Sequence, residues 1–88
     1  MVRTRGHVER AGTSLGTVAA KLVIIDAQGG ERSAWRGTLT GAFNWDALTY
    51  GEELTLRIEG GGAGRFLVEQ RVMGDDGVYI IGAGHPPV

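Results

Sequence analysis

The side chains in this chain best suited to chemistry are His7 and His85, the carboxylates Asp26, Asp75 and Asp76, the hydroxyls Ser14 and Ser33, and a glycine run at 60–64. Zinc sites usually announce themselves by closely spaced ligand pairs. Here the two histidines stand near opposite ends of the chain and cysteine is absent, so two solvated histidines are expected rather than a metal site. General acid–base work needs a titratable group held in a protected pocket. Asp75-Asp76 lies between Gly74 and Gly77, which is ordinary turn chemistry, and neither serine has a nucleophile-elbow context. A phosphate-cradling loop needs backbone amides at a helix N-terminus, and a P-loop also needs Lys and Ser or Thr behind its last glycine. The 60–64 run is instead followed by Arg65-Phe66-Leu67-Val68, a strand pattern, so a floppy hairpin tip is expected there. No catalytic residue, metal ligand or cofactor is therefore assigned.

The aromatic and arginine side chains Trp35, Arg36, Phe43, Trp45, Tyr50 and Tyr79 carry more information. Tryptophan, tyrosine and arginine dominate protein interfaces because they bury large areas while keeping a polar handle. Trp35 sits in a strand pattern and is expected in the core. The candidate contact set is Trp45, Phe43, Tyr50, Arg36 and Tyr79. Trp45 is the first choice, with a role as a plug in one barrel end as its alternative.

These residues have to be positioned by strands. Sixteen glycines fall between short runs rich in Val, Ile, Leu, Thr and aromatics, the rhythm of strands and turns. Residues 16–25 read as a strand with Val18, Ala20, Leu22 and Ile24 on one face. A helix also fits the spacing of Leu15, Val18, Ala19, Leu22 and Val23, but the β-branched end of the run and the hairpin-like 26–30 favour a strand. A second strand over 31–40 places Trp35, Gly37 and Leu39 together. The connection 41–53 holds a possible helical turn from Asn44. Residues 53–59 alternate most cleanly, with Leu54, Leu56 and Ile58 inward, and pair with 65–73, where Phe66 and Val68 alternate with Arg65, Leu67 and Glu69. A tight turn at 74–77 leads into Val78-Tyr79-Ile80-Ile81, and Pro86 and Pro87 end the pairing. The expected fold is all-β, a small antiparallel barrel or sandwich of five to six strands arranged as a hairpin meander. Its core is expected to include Val18, Leu22, Ile24, Trp35, Leu39, Leu54, Leu56, Ile58, Phe66, Val68, Val78 and Ile80.

With 88 residues the chain reads as a single domain over 1–88. A domain this small buries only roughly 60 to 65% of the surface its unfolded chain exposes, so stabilising help is expected. Without cysteine there are no disulfides, and oligomerisation is the remaining help to look for first. Residues 1–10 hold Arg3, Arg5 and Arg10 against Glu9 and read as a flexible basic arm. The overall balance of 9 basic and 10 acidic side chains, net -1, makes nucleic acid an unfavoured partner. No apolar run is long enough to span a bilayer as a helix and no secretory pattern opens the chain, so a soluble, cytoplasmic protein is expected.

Three segments together carry a family resemblance: Trp35-Arg36-Gly37, Gly51-Glu52-Glu53-Leu54, and Ile80-Ile81-Gly82-Ala83-Gly84-His85-Pro86-Pro87. Over roughly 18–88 the chain resembles a small actinobacterial β-barrel domain of unknown function that is often fused to flavin-dependent monooxygenases. The resemblance implies an accessory module without known catalytic residues. The functional expectation is a non-catalytic binding or assembly module. It would work by protein–protein contacts, as a homo-oligomer or on a larger protein, through the 41–50 connection and an exposed sheet edge. The alternatives are a small-molecule-binding barrel or accessory subunit of an oxidoreductase, with Arg36, Tyr50 or His85 orienting a ligand, and, last, a nucleic-acid-binding barrel.

Overall fold

The computed structural model describes residues 2–25, 34–41, 43–71 and 77–87. Six strands form: β1 (Val2–Arg10), β2 (Thr13–Ile25), β3 (Ala34–Thr40), β4 (Glu53–Ile58), β5 (Ala63–Arg71) and β6 (Gly77–Gly82), with one 3-10 turn, Trp45–Ala47, between β3 and β4. They close into an antiparallel barrel in the order β1-β2-β3-β6-β5-β4. The all-β barrel is therefore as expected. The meander divides into two three-stranded units, 1-2-3 and 4-5-6. The connection after β3 crosses one end of the barrel, so β4 starts beside β1 and β6 closes against β3.

Residues 2–10, expected as a flexible arm, are a strand paired along β2 and, over 6–9, along β4. The inward face is Val2, Thr4, Gly6 and Val8, with Arg3 and Arg5 exposed between them. Only two of those four inward residues are apolar, which is why the alternation was faint. Gly6 has a spatial reason: a Cβ there would run into the backbone carbonyl of Arg57. The strand expected from residue 16 starts at Thr13, and a register shift at Val8/Glu9 leaves Leu15 as the extra residue of a bulge on β2.

Every expected core side chain is buried except Ile24, which is half-buried against the core. Val8, Ala20, Trp45 and Leu48 join it. Phe66, Leu22 and Leu39 fill the middle of the barrel with almost no exposed surface, as befits a six-stranded barrel whose lumen holds side chains. Trp35 reaches across to β6, where a Cβ on Gly82 would overlap its indole ring.

The glycine run is not a floppy tip. Ile58 N donates to Gly62 O at 2.9 Å, and Gly62 N donates to Pro87 O at 3.1 Å. Ala83 N donates to Arg65 O at 2.8 Å, so the segment after β6 folds back over the β4–β5 hairpin and Pro87 is buried on it. The expected hairpin at 26–30, the first residues of the strand from 31, positions 72 and 73, and turn residues 74–76 lie outside the described residues, as do Asp26, Ser33, Asp75 and Asp76.

Candidate protein-contact face

The five expected contact residues separate into two groups. Phe43 and Trp45 meet at the barrel end crossed by the β3–β4 connection, with ring centroids 4.7 Å apart and planes tilted by 43°. Trp45 is only 4% exposed, and its Nε1 donates to Gly41 O at 3.1 Å. The first-choice contact residue is thus a plug: the 3-10 turn drives its indole down into the core, where burial of its large apolar area outweighs any use at the surface. Phe43 packs partly buried on the same cluster. Tyr50, 59% exposed, stands on the outside of this cap, beside a depression of about 320 Å³ lined also by Asp46, Thr49 and Arg71.

The cap is held from two strands. Arg10 at the end of β1 grips Glu52 through Nε to Oε2 at 2.6 Å and Nη2 to Oε1 at 2.8 Å, and Nη2 also donates to Ala47 O at 2.8 Å. Arg71 of β5 donates to Asp46 at 2.9 Å. The Arg10 guanidinium, helped by the Thr49 amide, holds the Glu52 carboxyl below its ordinary range against a smaller opposing effect of desolvation.

Arg36 and Tyr79 lie elsewhere, on the outer face of β3, β6 and β5. Strand registers place the side chains there in two rows. One row runs Val23, Arg36, Ile81, Leu67, Glu53, from β2 through β3, β6 and β5 to β4. The next runs Arg3, Lys21, Thr38, Tyr79, Gln70, from β1 to β5. At the centre of the two rows Tyr79, Ile81 and Leu67 are 40%, 44% and 36% exposed. Lys21, Val23, Arg36, Glu69 and Tyr79 border a groove of about 350 Å³ across this face. A register shift at Val68/Gln70 makes Glu69 the extra residue of a bulge, so Glu69 and Gln70 both point outward.

The opposite outer face is different in kind. On β1 and β4, Glu9 accepts from Arg57 Nε at 3.2 Å and contacts His7 Nε2 at 3.0 Å. The Arg57 hydrogen bond, then His7, hold the Glu9 carboxyl below its ordinary range. Between the two faces Arg65 of β5 reaches Glu53 of β4 at 3.3 Å. His85 is exposed in the segment after β6. Among the described residues, no three His, Asp or Glu side chains gather as a metal site would require, and no helix is long and apolar enough to cross a membrane.

Sequence reasoning missed Ile81 and Leu67. The signal was present for Leu67, which shares the polar face of its strand with Arg65 and Glu69 and so had to point away from the core. Closure gives each of the six strands a hydrogen-bonded neighbour on both sides, so the exposed sheet edge expected as a docking element shrinks to the start of β1, which pairs along β2 but not along β4. No protein-family model, no curated protein and no solved structure matches the chain. Among the described residues, fold and site define a closed six-stranded all-β barrel with a filled lumen and an exposed apolar patch on the outside of β6 and β5.

Proposed function

We propose that this chain is a non-catalytic binding or assembly module that works through protein–protein contacts, with the outer face of β3, β6 and β5 as its contact surface. The observation that carries this is the exposure of Tyr79, Ile81 and Leu67 side by side on two neighbouring strands, β6 and β5. Scattered exposed apolar residues are normal, but a contiguous patch rimmed by polar groups marks an interaction site. The rim here is Arg36, Lys21, Gln70 and Glu69. Tyrosine at its centre and arginine at its margin are the residue types that concentrate binding energy. A role as accessory partner of a larger enzyme, which the likeness to domains fused to flavin-dependent monooxygenases implies, belongs to the same proposal.

A small-molecule role is the second reading, favoured by the 350 Å³ groove with Arg36, Lys21 and Tyr79 on its walls. With the lumen filled by side chains, any such ligand would lie in this outer groove rather than in a barrel mouth.

The test is retention of a partner. A tagged chain expressed in its source cells is compared with the Tyr79→Ser/Ile81→Lys variant, and circular dichroism verifies that both are folded. The wild type is expected to retain a protein in fixed proportion, either an untagged copy of itself or another chain, and the variant to lose it. Equal retention by both would overturn the proposal.

A further inference from the structure

We infer that the occupant of the outer face is a second copy of this chain, seated about a twofold axis that runs along β6. This rests on the contact-surface reading above and gives it a partner. The argument is the order of charges across the face. On the β3 and β2 side of Tyr79 and Ile81 stand Arg36 and Lys21, with Arg3 directly across from Lys21 on β1. Among the described residues, none of these three cations has an ion-pair partner within the chain. On the β5 side stands Glu69, beside Arg65, whose charge is paired with Glu53 of β4. Counted by charges without an ion-pair partner among the described residues, the face is basic on the β3 flank, apolar in the middle and acidic, through Glu69, on the β5 flank.

That order is self-complementary in only one orientation. A twofold contact places the same patch of both copies together. With the axis along β6, the β3 flank of one copy lies over the β5 flank of the other. Arg36 then meets Leu67 and Glu69 of the partner, and Tyr79 and Ile81 meet their own counterparts at the centre. With the axis across the strands, Arg36 and Lys21 would lie over Arg36 and Lys21, a juxtaposition that costs affinity. The charges therefore select the first orientation and reject the second. They also keep Glu69, which makes no ion pair among the described residues, available to the partner.

Size sets the strength. Three strands about 4.8 Å apart and six residues of about 3.3 Å long give a footprint of roughly 300 Å² per copy. A standard stable interface buries about 800 Å² per partner. The dimer is accordingly weak, its footprint well below the size of a standard stable interface.

Sedimentation velocity of the purified chain over roughly 5 to 500 µM, at low and moderate salt, reads the association directly. The expected result is a monomer–dimer equilibrium that salt weakens. Arg36→Glu and Glu69→Arg should each weaken it at least tenfold, and an equimolar mixture of the two variants should recover association that neither shows alone. A wild-type chain monomeric throughout, or a mixture no better than either variant, would overturn the inference. If the chain is monomeric while the tagged wild type still retains a different protein that Tyr79→Ser/Ile81→Lys loses, the contact face stands and only its occupant is wrong.

Discussion

The cap over one barrel end and the outer face of β6 draw on the same residue types and use them in opposite ways. At the cap, Phe43 and Trp45 turn inward and are stacked, hydrogen-bonded and clamped from β1 and β5. On the outer face Tyr79, Ile81 and Leu67 project from regular strands, and charged side chains stand on both sides rather than over them. An aromatic residue stabilises this fold where the backbone can turn it into the core. It becomes available to a partner where strand alternation forces it out.

Four variants, one of them also followed with pH, sharpen that contrast, in order of declining effect on the fold. Trp45→Ala should cost about 3 to 5 kcal/mol, because it empties the end of a filled barrel. That is a large part of the about 5 to 15 kcal/mol that holds a typical domain together. Chemical denaturation would read it, and a loss below 1 kcal/mol would mean that the indole does not plug the barrel.

Glu52→Gln removes one half of the clamp and should lower the melting temperature at neutral pH by a smaller amount. Its pH dependence is more telling. Arg10 lowers the Glu52 carboxyl below its reference value of 4.5, so its contribution is complete above that value and drains away as pH falls through the lower folded value. Melting curves of wild type and variant should therefore converge as pH falls below the reference value of 4.5 and through the lower folded value. A gap independent of pH would assign the loss to packing.

Tyr79→Ser/Ile81→Lys should leave stability within about 0.5 kcal/mol, since both side chains already face water. The same variant should lose association, the reverse of the pattern at Trp45. Arg57→Ala on the β1–β4 face should do least. It breaks an exposed ion pair with Glu9, and neither melting temperature nor association is expected to move appreciably.

Much of the barrel was legible because its strands obey the twofold alternation. Leu54, Leu56 and Ile58 face inward as their spacing required, and so do Phe66 and Val68. β1 was lost because Thr4 and Gly6 hold two of its inward positions, Gly6 where a Cβ would strike the Arg57 carbonyl, leaving the basic outward residues to dominate the pattern. The fate of Trp45 could not be read locally. It depends on a connection crossing the barrel end, which follows from β4 pairing with β1 rather than with β3. Of the contact set, Arg36 and Tyr79 were found through residue type, and their neighbours Ile81 and Leu67 only through registers that link β6 to β3 and β5.

Photo-crosslinking separates the two regions most directly. A benzophenone side chain placed at position 79 or at position 50 samples two exposed tyrosine sites, one on the sheet face and one on the cap. Irradiation should yield a discrete protein adduct from position 79 that disappears when Ile81→Lys is added, and no adduct from position 50. Adducts from position 50 alone, or equal yields from both, would contradict an account in which this barrel meets its partner through the face of β6.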